Sequence, residues 1–146
     1  MAELVREIMI DATPETIWPF LTEPDKHAQW EGTEVDIDPR PGGIYRVLVA
    51  GQFQGAGEYV EVVARERIVF TFGWEQEGNP ITPGSTTVEI TLHPEGDKTR
   101  VRLVHSGLPE DAISDHTGGW DHYLSRLATV AAGGENGPDT PPEPPA

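Results

Sequence analysis

One long amphipathic helix near the end of the chain limits the possible folds more than any other feature. Its apolar residues recur every three or four positions and so lie on one side of a helix: Trp120, Tyr123, Leu124, Leu127 and Ala131. Pro109 suits the start of this helix, and Gly133 and Gly134 suit its end. No other segment predicts a helix of comparable length. This helix must therefore cover most of whatever sheet the preceding residues form.

The residues before this helix predict strands. Apolar and polar side chains alternate through much of residues 34–105, which is the pattern of half-buried strands. The clearest example is residues 87–92, where Val88, Ile90 and Leu92 share one face. Short turns separate the strands, at residues 39–43, 51–52, 65–67 and 95–98. Consecutive strands joined by short turns form an antiparallel meander.

The first third of the chain predicts one strand and two short helices. Residues 6–10 read as a strand, and helices are expected near residues 13–22 and 23–30. Pro19 lacks a backbone N–H, so the first helix should be short or bent. The complete order is one strand, two small helices, about six strands and one long helix. It predicts an α+β fold.

The last residues differ in composition from the rest. Residues 133–146 contain five of the 14 prolines and no large apolar side chain. Such a segment cannot bury enough surface to offset its ordering entropy. We therefore expect one folded domain at residues 1–132 and a disordered acidic tail at 133–146.

Charge and composition exclude several classes of function. The chain has 10 basic and 25 acidic residues, a net charge of −15. This charge disfavours nucleic acids and anionic membranes as partners. There are no cysteines, so disulfides and thiolate metal sites are excluded. No signal peptide and no apolar run of about 18 residues is present, which predicts a cytoplasmic protein without a membrane span.

The sequence contains no signature of a cofactor or a metal site. The five histidines lack the spacing of a ligand pair, and no phosphate loop or nucleophile elbow occurs. We therefore expect no cofactor. His105 shares a strand face with Val101 and Leu103. It is either a core histidine bound to a backbone carbonyl or tyrosine hydroxyl, or a polar group that orients a ligand.

Five segments in this order resemble a known family. They are residues 14–30, the turn 38–43, the hairpin 57–72, the strand 99–108 and the helix segment 116–127. Together they resemble the START-like (SRPBCC, birch-pollen-allergen-like) superfamily, in the branch named after the activator of heat-shock protein 90 ATPase. The resemblance covers about residues 3–132. It implies the helix-grip fold, in which a curved antiparallel sheet of about six to seven strands wraps around the C-terminal helix.

The resemblance also implies a cavity between the sheet and the long helix. We expect a small apolar or aromatic ligand there, with Tyr45 and His105 as polar anchors. The candidate ligand-binding residues are Trp30, Tyr45, Phe70, Phe72, Val88, Ile90, Leu103, His105, Trp120, Tyr123 and Leu124.

Two other functions remain open. One is a co-chaperone-like protein-interaction module, with a chaperone as the partner. The other is a cyclase- or aromatase-type enzyme, or a self-sacrificing resistance protein. Acid–base catalysis would have to use His105, His116, Glu58 or Asp121, and no pair among them stands out. The sequence therefore favours binding over catalysis, and it is compatible with a monomer or a homodimer.

Overall fold

The computed structural model describes residues 2–137, which form a seven-stranded antiparallel sheet and three helices. The elements in chain order are β1 (Ala2–Ile10), α1 (Pro14–Thr22), α2 (Pro24–His27), β2 (Glu34–Ile37), β3 (Ile44–Val49), β4 (Phe53–Val63), β5 (Arg67–Trp74), β6 (Thr86–Glu95), β7 (Lys98–Leu108) and α3 (Ile113–Ala131). This order confirms the predicted α+β helix-grip fold.

The first strand lies beside the last one. The sheet order is β1-β7-β6-β5-β4-β3-β2, so strands β2 to β7 form a meander and β1 pairs with β7. Leu4 lies opposite His105 in this pairing. Because α1 and α2 connect β1 to β2, they cross from one edge of the sheet to the other.

Strand β1 is longer than predicted. The sequence predicts residues 6–10, whereas the strand spans Ala2–Ile10. The extra residues pair with the end of β7 and bury Leu4 on the same face as Ile10. Val5 and Met9 point to the other face and are exposed. The pairing with a distant strand therefore lengthens β1 beyond what its local pattern indicates.

Helix α3 covers the inner face of the sheet through the predicted apolar stripe. Its buried residues are His116, Trp120, Tyr123, Leu124, Leu127, Val130 and Ala131. The helix begins at Ile113, later than predicted, because residues Glu110–Ala112 form a separate 3-10 turn. Among residues 2–137, no helix is long and apolar enough to cross a membrane.

The loop after β5 passes directly over Gly73. A Cβ atom at this position would lie 1.7 Å from the carbonyl oxygen of Thr82, so only glycine fits. The backbone N–H of Trp74 donates to the carbonyl of Ile81 at 2.7 Å. The loop is thereby held against the strand next to Trp74.

The chain folds back after α3. The Nδ2 of Asn136 donates to the carbonyls of Gln29, at 3.1 Å, and of Arg126, at 2.9 Å. Residues 133–137 of the expected tail thus contact the domain, and residues 138–146 lie outside the described residues.

The short α1 is nine residues long, in agreement with the effect predicted for Pro19.

Candidate ligand cavity and its buried polar groups

All eleven candidate residues are buried between the sheet and the helices. Alternation along the strands directs Tyr45, Phe70, Val88, Ile90 and Leu103 inward. The helical stripe adds Trp120, Tyr123 and Leu124 from the opposite side. The inner sheet face and α3 therefore meet at these residues, in one continuous apolar core.

A small internal cavity of about 10 Å³ lies within this core. Five of the candidate residues line it: Trp30, Tyr45, Phe70, Ile90 and Trp120. The other six, Phe72, Val88, Leu103, His105, Tyr123 and Leu124, are buried but do not line it. A volume of roughly 10–15 Å³ is the least that holds a water molecule, so the cavity is nearly filled by its own aromatic side chains.

Five residues that were not among the predicted ligand-binding residues also line the cavity: Leu21, His27, Glu31, Tyr59 and Ile68. Tyr45 is central among the lining residues. Its ring stacks on Phe70 with centroids 4.1 Å apart, and Tyr59 meets it edge-on at 5.8 Å. The cavity walls are therefore mostly flat aromatic surfaces.

His105 is held by hydrogen bonds on both ring nitrogens. The indole Nε1 of Trp120 donates to its Nδ1 at 3.1 Å. Because Nδ1 accepts, the neutral ring carries its proton on Nε2. That proton is donated to Thr86 Oγ1 at 2.8 Å, and the Thr86 hydroxyl donates to the carbonyl of Phe72 at 2.7 Å. The expected carbonyl or tyrosine partner is thus replaced by a tryptophan and a threonine.

His116 is fixed in a similar way. Trp74 Nε1 donates to its Nε2 at 3.2 Å, so Nδ1 carries the proton and donates to the carbonyl of Ala112 at 2.9 Å. The two histidine rings lie 5.7 Å apart. Burial lowers the pKa of His105 to about 3, with a smaller contribution from His116. Burial also lowers the pKa of His116.

These contacts give both histidines a structural role. Each is neutral at pH 7, and each uses both nitrogens in hydrogen bonds within the core. The other two residues considered for catalysis lie elsewhere. Glu58 is exposed on β4, and Asp121 forms a bidentate ion pair with Arg6 at 2.7 Å on the surface. The four residues do not form one catalytic group.

A second polar cluster lies directly at the cavity wall. His27 Nδ1 donates to the carbonyl of Glu31 at 3.1 Å, and its Nε2 lies 3.5 Å from Glu31 Oε1. The hydroxyl of Tyr45 donates to the same oxygen at 3.4 Å. Burial lowers the pKa of His27 to about 4. The hydrogen bond to the Glu31 carbonyl raises the pKa, but its effect is smaller than that of burial. Burial, followed by the negative charge of Glu31, raises the pKa of Tyr45 well above its ordinary value.

The turn that carries Glu31 is anchored at Trp30. The indole Nε1 of Trp30 donates to the carbonyl of Phe20 at 2.7 Å. Arg126 Nε donates to the carbonyl of Trp30 at 3.1 Å. The i, i+4 spacing of His27 and Glu31 next to a tryptophan is the one local signal of this cluster in the sequence. It is weak, because α2 is four residues long and has no periodicity.

A larger groove of about 580 Å³ lies at the surface, between the residues after α2 and the segment after α3. Small and polar residues dominate its lining, including Gly32, Thr33, Asn136 and Gly137. Ligand sites are mostly apolar and enclosed, so the aromatic cavity is the better candidate.

The comparisons with known proteins agree with this architecture. The model of the family described as activator of Hsp90 ATPase homolog 1-like protein matches residues 11–132. A comparison with curated proteins finds no match. The solution NMR structure of an AHSA1-like protein from Rhizobium etli is 42% identical, with a TM-score of 0.75. The alignment covers 94% of this chain and 86% of that one.

Two more distant structures share the fold. DynU16, a protein of the dynemicin biosynthetic locus, has a TM-score of 0.79 at 21% identity over 91% of this chain. The alignment spans 48% of DynU16, about half of its length. The Aha1 dimer from Colwellia psychrerythraea has a TM-score of 0.77 at 21% identity, and the alignment covers 93% of this chain and 100% of that one. The matched family model and the 42% identical relative establish that this chain belongs to the AHSA1-like family of the START-like superfamily.

Proposed function

We propose that this chain binds a small, mostly apolar or aromatic molecule in the cavity between the sheet and α3. The observation that carries the proposal is the cavity wall, which combines aromatic faces with a few buried polar groups. Ligand sites have this composition. DynU16, which shares the fold, is a protein of the dynemicin biosynthetic locus, and small-molecule binding is compatible with that setting.

A ligand larger than one water molecule requires the cavity to widen. Trp120 is the wall residue best placed to move, since it follows two glycines in α3. A Cβ atom at Gly118 or Gly119 would meet nothing within 4 Å, so space is open beside this part of the helix. Glycine within a helix also weakens it. We infer that the first half of α3 moves to admit the ligand.

The direct test is titration with N-phenyl-1-naphthylamine, a neutral dye that the net charge of −15 does not repel. We expect saturable binding near one site per chain, by protein whose near-UV circular dichroism confirms native packing. Competition with neutral aromatic compounds then identifies the ligand class. Absence of saturable binding by the folded protein would refute the proposal.

Two pairs of variants locate the dye. Trp120→Glu should abolish binding, and Ser125→Glu, which adds the same charge at an exposed position of α3, should not. Ile90→Phe fills the cavity and should weaken binding at least tenfold. Thr91→Phe, on the opposite face of β6, should leave it unchanged. Equal effects within either pair would place the dye elsewhere.

A protein-interaction module is the second candidate function. Edge strand β1 leaves Val5 and Met9 exposed, and exposed edges can pair with another chain. A relative with the same fold, Aha1 from Colwellia psychrerythraea, is a dimer. Light scattering across a concentration series would detect self-association, and Val5→Lys should remove it if β1 is the contact. A chaperone remains the other partner class that the family name suggests.

A further inference from the structure

Asn136 binds the segment after α3 to the rest of the domain. Its Nδ2 donates to the carbonyl of Gln29 at 3.1 Å and to the carbonyl of Arg126 at 2.9 Å. Both partners are carbonyls, which only accept, so the NH2 end of the amide must face them. A carboxylate has no donor and could not make either bond. The contact therefore depends on an intact side-chain amide.

Arg126 completes this attachment from α3. Its Nη1 donates to the carbonyl of Gly137 at 3.2 Å, and its Nε donates to the carbonyl of Trp30 at 3.1 Å. We call residues 133–137 the C-terminal strap. One asparagine and one arginine thus join the strap to α3 and to the turn after α2. Residues 134–137 of the strap also line the surface groove of about 580 Å³.

The residue after Asn136 makes its amide chemically reactive. In an Asn-Gly pair, the backbone nitrogen of the glycine can attack Cγ of the asparagine, because glycine has no side chain to hinder the approach. A Cβ atom at Gly137 would meet nothing within 4 Å, so the surroundings leave room for this movement. The only other asparagine in the sequence, Asn79, precedes Pro80, which has no backbone N–H to react.

We propose that Asn136 is a deamidation site, and that its conversion to aspartate or isoaspartate releases the C-terminal strap. The nitrogen of Gly137 forms a bond to Cγ of Asn136, and the Cγ–Nδ2 bond breaks. The proton of the attacking N–H leaves with Nδ2 as ammonia. Water then opens the resulting succinimide at one of its two carbonyls, which gives aspartate or isoaspartate.

The product cannot keep the contacts of the amide. Aspartate at position 136 would place a carboxylate against the carbonyls of Gln29 and Arg126, and none of these groups has a proton to donate. Acceptors that face each other without a donor are unfavourable, and the new charge adds to a net charge of −15. Because ammonia has left, the release is not reversed. This modification is independent of ligand binding in the aromatic cavity.

Peptide mass spectrometry tests the reaction. The folded chain is incubated at mildly alkaline pH and digested with trypsin, which places Asn136 in the peptide 127–146 and Asn79 in the peptide 68–98. We expect the mass increase of amide-to-acid conversion in the first peptide and not in the second. Gly137→Val keeps Asn136 but hinders the attacking nitrogen, so conversion should be about tenfold slower or more. An unmodified peptide 127–146, or an equal rate in Gly137→Val, would overturn the deamidation site.

Hydrogen exchange tests the release of the strap. Asn136→Asp represents the product, and Asn79→Asp is the matched control, since it adds the same charge elsewhere. The side-chain oxygen of Asn79 accepts from the backbone N–H of Ile81 at 2.9 Å, which aspartate can also do. We expect the backbone amides of residues 133–137 to exchange about threefold faster or more in Asn136→Asp, and at the wild-type rate in Asn79→Asp. Wild-type exchange in Asn136→Asp would show that the strap stays bound and would overturn its release.

Discussion

The indole Nε1 of Trp120 donates to Nδ1 of His105, 3.1 Å away, and this bond joins the long helix to the last strand of the sheet. It also sets the tautomer of His105 and so the direction of its bond to Thr86. One contact thus determines the hydrogen bonding of three buried side chains.

Trp120→Phe should destabilise the fold through this contact. The phenylalanine lacks the donor, so Nδ1 of His105 is left buried without it, at a cost of about 1–3 kcal/mol. Urea unfolding followed by circular dichroism measures the free energy of unfolding. Trp18→Phe, at a half-buried position of α1, is the control and should cost clearly less. Similar losses in the two variants would contradict a special role for the Trp120–His105 bond.

Stability should fall as the pH is lowered from 7 to 5. Folding lowers the pKa of His105 to about 3 and of His27 to about 4. The unfolded chain, with ordinary histidine pKa values near 6.5, therefore binds more protons below that pH. Between pH 6.5 and pH 5, each of these two buried histidines should therefore lower the free energy of unfolding by about 2 kcal/mol, at roughly 1.36 kcal/mol per pH unit.

Protonation of carboxylates acts in the opposite direction, because it reduces the net charge of −15. A variant comparison isolates the histidine effect. His105→Gln should have a shallower decline in unfolding free energy than wild type. His93→Gln, at an exposed position, should follow the wild-type curve. Parallel curves for all three proteins would show that His105 does not resist protonation in the folded state.

Gly119→Ala should stabilise the chain and weaken ligand binding. Alanine is favoured over glycine within a helix by about 0.8–1.0 kcal/mol, and its Cβ atom would meet nothing within 4 Å. A more rigid α3 should open less readily and reduce the affinity for the dye. Thermal unfolding and dye titration measure the two effects. Gly42→Ala also has space, but its φ of +85° makes it a destabilising contrast. Unchanged dye affinity in a stabilised Gly119→Ala protein would argue against motion of α3.

Arg126→Met should disturb the polar cluster from a distance. Arg126 Nε donates to the carbonyl of Trp30, next to Glu31. Loss of this bond should lower the free energy of unfolding, measured by urea unfolding, by about 1 kcal/mol. Arg100→Met, which removes an ion pair with Glu95 at the β6–β7 turn, is the matched control. An equal loss of unfolding free energy in both variants would mean that the bond from Arg126 does not hold the turn that carries Glu31.

Periodicity predicted the parts of the structure that local patterns control. The stripe from Trp120 to Ala131 gave the buried face of α3, and alternation gave the inward residues of the strands. Tyr45, Phe70 and Ile90 reach the cavity wall for the same reason. The resemblance to the START-like superfamily then gave the way in which these elements pack.

Local sequence patterns did not predict the hydrogen bonds between the buried polar side chains. The partners of His105 come from β6 and α3, and their approach depends on the strand register that places Val88 opposite His105. His27 and Glu31 lie on a four-residue helix and the turn after it, where no periodic signal exists. Their burial results from contacts of Trp30 with α1 and α3 and from Tyr45, on β3, which reaches Glu31. Only the assembled core brings these groups together.

The pairing of β1 with β7 has a consequence for how the chain acquires its structure. Leu4 and His105 are opposite each other, although about a hundred residues separate them along the chain. During synthesis, the first strand must wait until almost the entire domain has left the ribosome before its partner exists. Contacts of such long sequence separation make folding slow. Until then, strands β2 to β7 must form their meander without β1. Pairing of β1 with β7 is the step that completes the sheet surface on which α3 packs.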